Sequence, residues 1–299
     1  MNDEKFDIPF TSPNLPEMLT DQTRIKFNCY KGISCFNACC KRADVTLAPY
    51  DVLRLKKRFG VSSEAFLNQY TVPFQMDQDG VPGLKMRTDD DGTCAMLDGE
   101  NGCGVYEDRP TVCRYYPVAL LNMRNKDSSQ AEENYSMIRE DHCKGHLEER
   151  EISIDDYRAE QGCKEYDNRN RDWYRLILKK KSAGPGVGRP SEMSLQLFFM
   201  ASYNLDMFRR FILSDKFRET YRLNETFFEA VEKDDLILMD FGFQFMRQVL
   251  FGERTIEEAS DAWEKRVEAR KEHWDMLAKA EIAKKRKEED EKYKGSSDH

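Results

Sequence analysis

The stretch CYKGISCFNACC, residues 29–40, places four of the chain's nine cysteines within twelve positions and closes on an adjacent pair, Cys39 and Cys40. Three more, Cys94, Cys103 and Cys113, lie in GTCAMLDGENGCGVYEDRPTVCRYYP (92–117), among glycines and prolines whose tight turns let thiolates converge. Cys143 in DHCKGH (141–146) and Cys163 complete the set. A free cysteine is often only a small buried hydrophobe. Four thiols in one short stretch, followed by three in another, are too concentrated for that reading.

The chain opens on MNDEKFDIPF, which is acidic and lacks the apolar run of a secretion signal, so the expected compartment is the cytoplasm. Thiols there stay reduced and disulfides are rare. Clustered cysteines in a reducing compartment are metal ligands or redox groups. The formal net charge of −8 argues against a general nucleic-acid partner, because phosphate neutralisation needs a basic face. The most apolar stretch, LQLFFMASYNLDMFRRFIL (195–213), carries Asp206, Arg209 and Arg210 and is too polar to span a bilayer. With 34% charged residues against 39% hydrophobic ones, the composition fits a soluble, helix-rich protein with a charged surface.

The expected fold class is α+β and mostly helical. An irregular leader (1–26) precedes a cysteine-rich metal-binding domain with a small β-hairpin (27–181). A linker (182–190), a helical C-terminal region (191–275) and a charged tail (276–299) follow. TLAPYDVLRLKKRFG (46–60) reads as a helix with Pro49 in its first turn and Gly60 at its end. Ser62 suits the cap of a second, SEAFLNQY. YTVPFQM and LKMRT flank the turn DQDGVPG (77–83) and predict a hairpin. The Asp-rich turns lack the carboxylate spacing of a calcium loop and read as solvated turns. In the linker SAGPGVGRP, Gly184, Gly186 and Gly188 alternate, but Pro185 and Pro190 and a preceding Lys run argue against a phosphate loop. Beyond it, periodicity predicts helices at 192–213, 215–222, 225–232 and 234–250. TIEE (255–258) has the form of a capping box opening a last long helix. The aromatic residues Phe198, Phe199, Phe208, Phe211, Phe241, Phe243 and Phe245 are most simply core, a groove for a protein partner being the alternative.

Simple metal motifs do not account for the cysteines. Structural zinc fingers use paired C-x2-C knuckles, and none occurs here. A radical S-adenosylmethionine motif, C-x3-C-x2-C, would need cysteine at position 42, which is Arg42. Ferredoxin spacing fails as well. Adjacent residues in extended backbone point to opposite sides, so the Cys39–Cys40 pair most naturally faces two ions or two corners of a polynuclear cluster. Eight thiolates could satisfy two four-coordinate metals, or one iron–sulfur cluster with others left for redox chemistry or a second ion. Ligand count does not separate zinc from iron, since both accept thiolate sets.

At these residues the sequence resembles the YkgJ-like cysteine-cluster family, whose members are described as zinc- or iron-chelating domains. The resemblance rests on CxxxCC at 35–40, on the block CGVYEDRPTVCRYYP and on C-x-G at Cys143 to Gly145. DMFRRFILSDKF and LMDFGFQFMRQVLFGE look like the helical continuation of longer members, so it covers about residues 27–254. It implies a ligand set of Cys29, Cys35, Cys39, Cys40, Cys94, Cys103, Cys113 and Cys143, with Cys163 as an extra cysteine. Compact members place two residues between the first two cysteines, where this chain has five. The implied function is a metal or iron–sulfur site with no reaction assigned, and the Cys39–Cys40 pair and the absent C-x2-C knuckles favour iron over zinc. Alternatives are a redox enzyme, a protein lysine methyltransferase related to flagellin N-methylases, and a structural zinc module in an interaction protein. Arg109 and Arg114 flank Cys113 and are candidates for offsetting thiolate charge. Tyr115 and Tyr116 either shield the site or belong to the core. His142 and His146 read as surface or core histidines more readily than as ligands.

Overall fold

The computed structural model describes residues 18–41, 43–123, 132–182 and 189–261, together with seven residues between 264 and 282. Its first part contains β1 (Arg24–Lys26), β2 (Thr46–Leu47), α1 (Pro49–Phe59), α2 (Ser63–Tyr70), β3 (Thr71–Gln75), β4 (Pro82–Met86), β5 (Leu97–Asp98), β6 (Gly102–Cys103), α3 (Thr111–Tyr115), β7 (Val118–Met123), β8 (Glu132–Met137) and β9 (Glu151–Ser153). Helices follow: α4 (Ile154–Glu160), α5 (Cys163–Ser182), α6 (Glu192–Tyr203), α7 (Leu205–Ile212), α8 (Asp215–Thr220), α9 (Glu225–Lys233) and α10 (Asp235–Phe251). The protein is α+β and mostly helical. No described helix is long and apolar enough to cross a membrane.

Local chemistry accounts for the element ends. Pro49 opens α1, and Gly60, at φ 63°, closes it in the left-handed conformation that glycine adopts without strain. The Ser62 hydroxyl accepts the Ala65 N–H at the start of α2. The expected hairpin is β3 against β4, antiparallel from Thr71↔Met86 to Gln75↔Pro82, with β2 on the other side of β4. Its turn is held by Asp77, whose Oδ1 accepts the N–H groups of Asp79 and Val81, both at 3.0 Å. β1 lies within the stretch read as an irregular leader and pairs with β9.

Two sequence expectations change. The helix expected across 192–213 is broken at Asn204, whose side chain accepts the Met207 N–H and caps α7 instead of continuing α6. The TIEE capping box does not form. Thr255 Oγ1 donates to Gln244 O, Glu258 accepts from Gln248, and Glu258 bridges to Tyr221. Tertiary partners on α10 thus take both capping groups, and described helical residues begin at Glu264. Residues 183–188 of the linker lie outside the described residues, as do Arg42 and nearly all of the charged tail.

The described residues form two hydrophobic cores. The larger joins Leu53 and Leu55 of α1, Leu84 of β4, Trp173 and Leu176 of α5, Phe198 of α6, Phe208 of α7 and Leu238 and Met246 of α10. The C-terminal phenylalanines pack on one another within it, with Phe208, Phe241, Phe243 and Phe245 buried and Phe199 and Phe211 partly so. The smaller holds Leu19, Ile25, Phe27, Tyr115, Val118, Tyr135, Ile152, Ile154, Tyr157 and Cys163.

One buried carboxylate ties α1 to α3. Asp51 Oδ2 accepts the Ala48 N–H at 2.8 Å, while Oδ1 accepts the Thr111 N–H at 2.9 Å and the Thr111 hydroxyl at 2.6 Å. Two helix starts therefore share one side chain, which is wholly buried. Burial raises Asp51 from 3.8 to about 6, although the bonds from Thr111 and Ala48 and the charge of Arg114 favour its ionised form. Because the folded state holds this proton more tightly than the unfolded chain, the stability that it contributes is complete below pH 3.8 and is lost as pH rises through about 6. Between pH 4 and pH 7 the wild type should lose about 2 kcal/mol of stability relative to Asp51→Asn. Urea unfolding of both proteins at the two pH values measures this, and parallel pH dependence would contradict it.

Candidate metal centre

The segment 29–40 is wound rather than extended. Ile33 accepts the Phe36 N–H and Cys35 the Ala38 N–H, at 2.9 Å each. Asn37 then takes φ 66°, a left-handed conformation that asparagine tolerates better than most residues, and Ala38–Cys40 form a 3-10 turn. The Asn37 amide donates to Gly99 O at 3.3 Å. Gly102, at φ 101°, lets the 99–102 loop lie against this turn, since a Cβ there would stand 3.1 Å from the Phe36 ring. Cys39 and Cys40 consequently do not point to opposite sides. Their sulfurs are 4.0 Å apart, and the extended-backbone premise of the sequence reading gives way to a tight turn.

The remaining thiols are carried in by backbone bonds. The Cys94 N–H donates to Cys40 O at 2.8 Å, and the Leu97 N–H to Cys94 O at 3.0 Å. Leu97 pairs with Cys103 in the β5–β6 ladder. Cys113 lies in α3, whose start Asp51 fixes. From the other side the Lys144 N–H donates to Cys35 Sγ at 3.2 Å, and the Asn28 N–H to Gly145 O at 3.1 Å. Cys29 and Cys39 are exposed, and Cys35, Cys40, Cys94, Cys103, Cys113 and Cys143 are partly buried. None of the nine cysteines is in a disulfide.

The thiols act on one another. Cys39 and Cys40 form a pair whose mutual hydrogen bond lowers Cys39 to about 7 and raises Cys40. Burial raises Cys29 to about 11, reinforced by Cys39, Cys35 and Cys143. It likewise raises Cys94, Cys103 and Cys113, and Cys113 also feels Cys94, Cys103 and Cys39. Concentrated thiols in a partly desolvated pocket resist ionising together. A thiophilic cation relieves that mutual repulsion by displacing the protons.

The flanking residues divide by role. Arg114 is a structural clamp. It donates to the carbonyls of Arg109 and Gln161 at 3.0 and 2.8 Å, to that of Glu107, and to the Tyr166 hydroxyl at 3.0 Å. Arg109 donates to Tyr106 O and Gln161 Oε1 and stacks on the Tyr106 ring, while its charge favours the ionised form of Cys103. Tyr115 is core, with its hydroxyl donating to Asp167 at 2.7 Å. Tyr116 instead turns its hydroxyl, buried without a hydrogen-bond partner, toward Glu140 and Cys143. His146 is half-buried on Phe27, its Nε2 3.1 Å from Ile138 O, and burial lowers its pKa. His142 is 3.5 Å from Glu140. Cys163 belongs to the smaller core, wholly buried, and desolvation raises it to about 12. Asn37, Gly102 and Gln161 were missed in the sequence. Glycine at a close approach leaves no residue-type signal beyond glycine itself.

Among the described residues no three His, Cys, Asp or Glu side chains stand close enough to grip an ion as they are placed. The donor set nonetheless suits one. Eight soft thiols ride on loops whose backbone is fixed, and each side chain reorients about a single staggered bond. Residues 28–144 match the family model CxxCxxCC, described as "Putative zinc- or iron-chelating domain". All eight cysteines of the constellation fall within the CxxCxxCC segment, and Cys163 falls outside it. No curated protein and no solved structure matches the chain.

Two measurements follow from this arrangement. Cys163→Ala should cost about 1–2 kcal/mol through the small cavity it leaves, yet bind as much zinc or iron as the wild type. Metal loss in this variant would place Cys163 among the ligands. Arg114→Lys should destabilise by about 2–4 kcal/mol, because an ammonium cannot serve several acceptors spread around a planar fork. Thermal unfolding reads this directly.

Proposed function

We propose that the chain is a metal-binding protein in which Cys29, Cys35, Cys39, Cys40, Cys94, Cys103, Cys113 and Cys143 hold iron, as the bare ion or an iron–sulfur cluster, in preference to zinc. The observation that carries this reading is the bringing together of eight thiols from four separate stretches of chain, in which the charge of one is felt by the next. The lack of C-x2-C knuckles favours a polynuclear centre over a finger. A bound cation would supply positive charge that stabilises the thiolates and would join loops otherwise held by a few backbone bonds. Arg109 lends charge at Cys103, and Tyr116 is placed to donate to Cys143 once that sulfur is ionised. Thiol ligands require a reducing compartment, which supports a cytoplasmic location.

The methyltransferase alternative draws no support from the fold. Each described sheet is antiparallel and has two or three strands, without the parallel crevice in which dinucleotide-like cofactors sit. Metal analysis of protein purified without oxygen decides the matter. Brown protein with iron and acid-labile sulfide is expected. Colourless protein with stoichiometric zinc would convert the reading to a structural zinc module, and metal-free protein that takes up neither ion would end it.

A further inference from the structure

Three observations of different kinds, each covering some of the eight thiols, agree on one division. Backbone bonding is the first. The Lys144 N–H to Cys35 Sγ bond and the Asn28 N–H to Gly145 O bond join the loops of Cys29, Cys35 and Cys143. The approach there is close: a Cβ at Gly145 would fall 2.6 Å from the Phe27 ring and 2.9 Å from Asn28 O. Cys40, Cys94 and Cys103 are joined separately, by the Cys94 N–H to Cys40 O bond, the Leu97 N–H to Cys94 O bond and the Leu97–Cys103 pairing. Packing is the second. Cys94 and Cys103 rest on the larger core and Cys143 on the smaller. The third is electrostatic: Cys29 feels Cys39, Cys35 and Cys143, while Cys113 feels Cys94 and Cys103 and then Asp51 and Cys39. Cys39 alone is common to both sets.

We propose that the domain holds two metal centres at the seam between its cores, one on Cys29, Cys35, Cys39 and Cys143 and one on Cys40, Cys94, Cys103 and Cys113. This rests on the metal-binding reading above and assigns its ligands. Each centre then has the four thiolates of tetrahedral coordination, the first reaching four only by taking Cys39. The Cys39 and Cys40 sulfurs, 4.0 Å apart, set the two centres side by side at the turn that the left-handed Asn37 opens.

Cobalt(II) titration of the metal-stripped full-length protein under anaerobic conditions tests the assignment, since thiolate-to-cobalt charge-transfer absorption counts bound ions and reports sulfur coordination. The wild type should bind about two ions. Cys29→Ala, at an exposed position where packing is untouched, should bind about one, and so should Cys103→Ala. Cys29→Ala combined with Cys103→Ala should bind none tightly. Cys39→Ala should likewise bind about one. Circular dichroism checks that each variant is folded, and Cys143→Ala and Cys94→Ala repeat the comparison for either set. Equal loss of all cobalt in every single variant, or one ion in the wild type, would overturn the division while leaving metal binding intact. No cobalt uptake by the wild type would overturn both.

Discussion

The carboxylate of Asp51 is the constraint on which the arrangement depends. It is buried, it is the common acceptor for the starts of α1 and α3, and it has no replacement partner in water. Through it the largest apolar surface of the protein determines where Cys113 lies. Arg114, one residue further on, fixes the same short helix to the loops at Glu107 and Gln161, and its ring contact with Tyr166 carries the connection on to α5. A five-residue helix has no intrinsic stability. Its position comes from a charge and a guanidinium that reach past it on either side.

What the sequence disclosed about the fold was what local rules govern. Pro49, Gly60 and Ser62 set the ends of α1 and α2 as their types require, and the Asp77 turn closes the expected hairpin. Asn204 could have been read as a cap, yet it sits inside an unbroken apolar run, and periodicity does not register a break whose two halves are both buried. Thr255 and Glu258 had the right spacing for a capping box and lost to Gln244 and Gln248, partners that no local pattern reveals.

The candidate site was legible as a list of residues but not as a shape. Cysteine density picked out the thiols, and their separation from Cys163 came from the family resemblance. The turn that brings Cys39 beside Cys40 was not legible, because it depends on Asn37 leaving the usual backbone region and on Gly102 making room for Phe36. Both are long-range accommodations. The arginines were noticed for their charge, whereas most of their donors are engaged by main-chain carbonyls.

The three-residue pairing of β1 with β9 works as a clasp. Arg24–Lys26 meets Glu151–Ser153, and the Phe27 N–H continues the pairing to Arg150 O. Everything from the first cysteine to the last ligand candidate hangs between these two short strands as one closed ring of chain. Closing a ring of that length costs about 4 kcal/mol of chain entropy beyond a constant term. Ile25 and Ile152, buried together in the smaller core, offset much of it. The stretch before Cys29 is therefore the fastening of the cysteine-bearing ring, and a chain begun at Phe27 would have every thiol but not the strand that clasps the ring.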